Sequence, residues 1–149
     1  MTTKQYLQSI EDLDRRIQSK LMDKTQLENM AMSITVPPDN EKVQSSGSQD
    51  RMANTVAKLI DLEREIDALV DSFIDRRKKI IAQIDSLDDS LYVQVLSLRY
   101  VCKLNLSDVA VKITGSSSSR RNIDRIHGRA LQEFERLYGS EYKNSEKGV

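Results

Sequence analysis

The sequence predicts an all-α protein: a long helical hairpin or coiled-coil stalk, followed by a C-terminal group of shorter helices. Three observations point there. Apolar residues recur every three or four positions over most of the chain, the spacing that turns one stripe of an α-helix toward a core. Residues that build sheets or interrupt helices are scarce, with two prolines, five glycines and seven aromatics among 149 residues. Charged residues make up 31% of the chain and fill the gaps between apolar positions, as the solvent face of a helix requires.

The first helix is expected over about residues 3–31, where Tyr6, Ile10, Leu13, Ile17, Leu21 and Leu27 form a narrow stripe. So narrow a stripe buries too little by itself and needs a partner helix. Residues 33–49 break the pattern. Pro37-Pro38 cannot continue a helix and the Ser/Gly tract folds poorly, so this stretch reads as a flexible loop. Its length leaves open whether the first helix packs on its own chain or on another.

Asp50 looks like the cap of a second helix reaching about Leu87. Leu59, Leu62, Ile66, Leu69, Phe73, Ile80 and Leu87 follow a seven-residue repeat, with Arg76 and Gln83 as polar interruptions. Val56, Ile60, Val70, Ile74, Ile81 and Ile84 widen one flank. The pattern is that of a coiled-coil seam broad enough for more than one neighbour, and it predicts oligomerisation through this stalk. At 1.5 Å per residue the helix would span roughly 57 Å. Arg76-Arg77-Lys78-Lys79 beside the seam reads as a solvated face.

Asp88-Asp89-Ser90 is a turn that caps the next helix rather than an acid/base pair. Leu91, Val95, Leu98, Val101 and Cys102 give that helix an apolar face. After a break at Asn105, a brief helix beginning at Leu106 or Ser107 turns Val109, Ala110 and Ile113 inward. Thr114-Gly115 forms a turn, and a serine run leads into a last helix. A short helix, a glycine turn and an arginine-faced helix together make a helix-turn-helix.

On that last helix Ile123, Ile126, Ala130, Phe134 and Leu137 share one face at 100° per residue, while Arg121, Arg125, Arg129 and Arg136 gather on the other with Gln132. One side suits a core and the other an anion. Residues 1–89 hold 13 Lys/Arg against 17 Asp/Glu, whereas residues 90–149 hold 10 against 6, so the basic excess lies in the half that carries the arginines. Arg121 and Arg125, one turn apart, can both enter a major groove, where arginine makes bidentate contacts to guanine; Arg129 and Arg136 are better placed for phosphates. Four neutralised phosphates would give a salt slope of roughly −3.6.

The segments Leu96–Tyr100, Leu106–Ala110 and Ser119–Leu131 resemble the −35-reading domain of bacterial sigma factors. They are more similar still to RinA/ArpU-like late-gene regulators of phages and prophages of Gram-positive bacteria. Val43–Ala53 and Val56–Ile66 resemble the linker and long-helix opening of that group, so the resemblance covers most of residues 40–138. It implies that Ser119 caps the reading helix, that Arg120, Arg121 and Arg125 point to bases or phosphates, and that Ile123 and Ile126 pack on the preceding helix. Asn122 belongs to the same DNA-facing set. The resemblance further implies contact with RNA polymerase. One departure concerns the turn, where Ala110 and Ser119 are about one helical turn further apart than usual. Either the turn is lengthened, or the helix begins near Ser116 with an extra turn of serines.

Enzymatic readings find little support, and no metal or cofactor is expected. His127 is the lone histidine; it lies about 40° from Ile123 on the helix and reads as a boundary residue bonded to backbone rather than a nucleophilic partner of Cys102. Gly128, inside the helix on the arginine side, could admit a phosphate backbone or another helix. With one cysteine, no apolar leader and no run of 18 apolar residues, a cytoplasmic protein is expected. The expected organisation is a helical coiled-coil region over 1–89, a DNA-binding helix-turn-helix over 90–138, and a flexible tail over 139–149. The function expected is sequence-specific binding of duplex DNA as a transcriptional regulator. Two alternatives are a phage DNA-packaging recognition subunit of the small-terminase kind, assembling as a ring, and a coiled-coil adaptor that leaves its arginines idle.

Overall fold

The computed structural model describes residues 1–35 and 46–146. Among them every element is helical: α1 (Thr3–Thr35), α2 (Ser46–Asp85), α3 (Ser90–Leu96), α4 (Leu106–Thr114) and α5 (Arg120–Lys143). α3 runs on into a π-turn at Ser97–Val101, and 3-10 turns at Ser117–Ser119 and Asn144–Glu146 flank α5. No helix among the described residues is long and apolar enough to cross a membrane. The Pro37-Pro38 break lies outside the described residues. α1 runs past its expected end, and α2 begins earlier than expected and stops at Asp85, short of Leu87, so that Asp50 sits inside α2 rather than capping it. Ser and Gly lower helix propensity by at most about 1 kcal/mol each, which propagation from a long helix overrides.

The chain divides into two compact units: Leu13–Ser72, and Met1–Asp12 with Phe73–Val149. The boundary expected at residue 89 is therefore replaced by one that passes through α1 and α2. Three short helices cannot close a core alone, and the start of α1 and the end of α2 supply what is missing.

In the Leu13–Ser72 unit, α1 and α2 run antiparallel. Lys20 meets Glu65 at 3.1 Å and Lys24 meets Glu63 at 3.5 Å, so α1 packs on α2 of its own chain. These exposed pairs add little stability, about 0–1 kcal/mol each; burial of Ile17, Leu62 and Ile66 holds the unit. The seam read as an oligomer interface is thus occupied within one chain. Leu62 and Ile66 are buried there, Leu59 and Leu69 half-buried, while Val56 (43% exposed) and Ile60 (46%) on the flank face solvent.

In the other unit, Tyr6, Leu7, Ile10, Ile80, Ile84, Leu87, Leu96, Tyr100, Ala130, Phe134 and Tyr142 form one buried cluster, with Phe73 packed against it. Here α1 has two neighbours. The Tyr6 hydroxyl donates to Gln83 Oε1 of α2 at 2.8 Å, and its ring stacks on Tyr142 of α5 at 4.4 Å. That doubled contact buries Leu7, which lies off the narrow stripe. Gln83 and Arg76, read as interruptions of the seam, are the polar partners of α1: Gln83 is buried, and Arg76 sits 5.3 Å over the Tyr6 ring while donating to Ser9 Oγ at 3.2 Å. In the basic run, Arg77, Lys78 and Lys79 are exposed, and Lys79 pairs with Glu141 at 3.0 Å.

Residues 139–143 are not a flexible tail. α5 continues to Lys143, Gly139 is buried, and the Tyr142 hydroxyl lies 2.8 Å from Thr3 Oγ1. The reason is periodic: Phe134, Tyr138 and Tyr142 stand four apart and prolong the apolar stripe past the expected end. Residues 147–149 of that stretch lie outside the described residues.

Candidate nucleic-acid interface

Local chemistry sets each end of the α3–α4–α5 region. Asp89 caps α3, its Oδ1 accepting from the backbone N–H of Leu91 at 2.9 Å. Asn105 caps α4, its Oδ1 accepting from Asp108 N–H at 2.8 Å. Gly115 ends α4 at φ 81°, a left-handed conformation that only glycine adopts without strain, and its N–H donates to the Val111 carbonyl at 2.8 Å. Val95, Val109, Ala110 and Ile123 form a fully buried cluster bracketed by Leu91, Leu98, Leu104, Leu106, Ile113 and Ile126. Ala110, small and wholly buried, stands where α4 and α5 meet.

The serine run resolves the question of the turn. Ser116 is extended (φ −142°, ψ 136°), and its Oγ accepts from Ser118 N–H at 3.2 Å. Ser117–Ser119 then make a 3-10 turn that leads into α5. Ser119, expected as the cap, makes no side-chain capping bond. Helical winding therefore begins one turn before Arg120, and Ser116 is the capping residue. A run of four serines leaves the cap ambiguous, because each has the same side chain and the preceding glycine's geometry decides.

The inward face of α5 differs from expectation at two positions. Ile123, Ala130 and Phe134 are buried, but Leu137 is 41% exposed and His127 takes its place. The Tyr100 hydroxyl and His127 Nε2 lie 2.8 Å apart, so His127 bonds a side chain of the π-turn rather than backbone. Burial, helped by the charges of Lys4 and Arg99, pushes the imidazole down to about 4; burial likewise pushes the Tyr100 phenol up to about 12. At neutral pH both groups are uncharged, and the tautomer of the imidazole sets which of the two donates. Cys102, by contrast, is exposed.

The outward arginines separate into two classes. Arg121, Arg125 and Arg129 are exposed. Among the described residues, Arg121 and Arg129 have no hydrogen-bond or ion-pair partner, and Arg125 Nη2 donates to the neutral Asn122 Oδ1 at 2.9 Å. Arg125 is thus oriented without losing its charge. Arg136 is neutralised by Glu133, at 2.6 and 3.1 Å through two nitrogens, and the pair holds the Glu133 carboxyl below the usual carboxylate range. Arg120 Nε donates to Asp124 Oδ1 at 3.2 Å and its Nη1 to Ser107 Oγ at 2.6 Å. Sequence reasoning passed over Asp124 and Glu133. Their spacing of four and three residues from the arginines is a known pairing pattern, but it shows only that a pair is possible.

Gly128 lies between these arginines on the same exposed face, and a Cβ there would meet nothing within 4 Å. No internal packing accounts for it. Gly128→Ala is therefore expected to raise stability by about 0.5–1 kcal/mol, the helix-interior cost of glycine; a urea titration showing a loss instead would contradict the open surface described. No family model, curated protein or solved structure matches this chain.

Proposed function

We propose that this protein binds duplex DNA through α5, with α4, the Gly115 turn and α5 acting as a helix-turn-helix of the sigma-like kind, and that it serves as a sequence-specific transcriptional regulator of phage type. The observation that carries the reading is the face of Arg121, Arg125 and Arg129: three exposed guanidinium groups on one side of a helix, none paired with a carboxylate among the described residues. Arg121 and Arg125 reach base edges from the first turns of α5, and Arg129 lies further along for a phosphate. The proposal includes more than one copy on the DNA. For that contact the exposed Val56 and Ile60 are available to a second chain, since Leu62 and Ile66 are covered by α1.

A salt-titrated binding assay on selected genomic fragments tests this. With Arg120 and Arg136 already engaged, if each of the three remaining cations of this face displaces one counterion, log K should fall against log salt with a slope of roughly −2.7. Arg125→Ala is expected to weaken binding to the selected sequence by about 1–3 kcal/mol and to relax preference at one base position. An unchanged preference in that variant would remove Arg125 from base reading. Absence of any duplex binding at low salt would sink the proposal and favour the adaptor reading.

A further inference from the structure

Arg120 was expected to touch DNA, but its contacts assign it another task. Its guanidinium bridges two elements, with Nη1 on Ser107 Oγ in the first turn of α4 (2.6 Å) and Nε on Asp124 Oδ1 one turn along α5 (3.2 Å). Asp124 is an exposed carboxylate one residue from Arg125, beside the face that carries Arg121, Arg125 and Arg129. Left alone, it would repel a phosphate backbone approaching the Arg121–Arg125 face. Its pairing with Arg120 cancels that charge. The bond to Ser107, meanwhile, ties the start of α4 to the start of α5 across the Gly115 turn. Only this side-chain bond, among those described, joins α4 to α5.

We infer that Arg120 is a positioning residue rather than a DNA ligand: it masks the Asp124 carboxylate and fixes α4 against the first turn of α5, so that Arg121 and Arg125 meet the groove. The inference rests on the DNA-binding reading above and refines which arginines do the binding. An arginine with two ordered partners, one a carboxylate, would have to abandon both to reach a phosphate. Arg121 and Arg129 have no such partner among the described residues to abandon.

The experiment compares wild type, Arg120→Gln, Asp124→Asn and the double variant Arg120→Gln/Asp124→Asn for duplex binding between low and moderate salt, with thermal melts confirming that each is folded. Ser107→Ala is included for the tie to α4. Arg120→Gln should weaken binding about tenfold by unmasking Asp124. The double variant should recover most of that loss and restore the wild-type salt slope, since it removes a cation and an anion that cancel. Ser107→Ala should weaken specific binding two- to threefold, with the slope unchanged. A direct phosphate contact predicts the opposite for the double variant: no recovery, and a slope shallower by about 0.9. That result would overturn the inference while leaving DNA binding intact. Wild-type protein that fails to bind duplex at low salt would overturn both.

Discussion

Phe134→Ala is expected to be among the most damaging single substitutions in the chain, with a loss of about 3–5 kcal/mol. The ring is fully buried and lies 5.2 Å from Tyr138, 6.1 Å from Tyr6 and 6.4 Å from Tyr142, centroid to centroid. Truncation removes its burial and opens a cavity where residues of α1, α2, α3 and α5 share one cluster. Those elements are long helices or are anchored by polar pairs such as Tyr6–Gln83 and Thr3–Tyr142, so they cannot collapse fully into the space. For a protein of this size the melting temperature should drop by on the order of 10 °C. A loss below about 1 kcal/mol in urea would mean that the ring is not at the centre of a packed core.

Acid should destabilise the protein through His127. The imidazole is held at about 4 in the folded chain, against 6.5 as its ordinary value. The unfolded chain therefore binds the extra proton more readily between these limits. The contribution is complete above pH 6.5, declines as pH falls through the window, and is gone below about 4. The whole span is worth about 3 kcal/mol at ~1.36 kcal/mol per pH unit. Protonation need not break the contact with Tyr100, whose oxygen can accept; the penalty comes from burying charge near Lys4 and Arg99. His127→Gln retains a polar partner for the Tyr100 hydroxyl and cannot titrate. Its unfolding free energy should vary less between pH 7 and pH 4.5 than that of wild type, and equal slopes for the two proteins would refute the assignment.

How much of this could be read in advance depended on the kind of signal. The break at Asn105 and the Gly115 turn were legible because helix ends are set by residues within four positions of one another. The amphipathic periods of α1, α2 and α5 were equally local. Arg76 and Gln83 looked like defects because a one-dimensional seam has no place for polar groups. They became intelligible only beside Tyr6 and Ser9, more than sixty residues away in the chain. The same limit applied to the arginines, where periodicity placed them on one face but could not say which were already bonded.

The sequence by itself determined that the described residues are helical, that α3 and α4 begin after Asp89 and Asn105, and that cations collect on the outer face of α5, because backbone hydrogen bonding, capping and helical period act over a few residues. Tertiary structure alone decided that α1 closes the α2 seam within one chain, that the end of α5 is anchored through Tyr142, and that Arg120 and Arg136 are engaged while Arg121 and Arg129 have no hydrogen-bond or ion-pair partner among the described residues. Those outcomes depend on which side chains meet across long separations, and on small differences between alternative partners that no local pattern encodes.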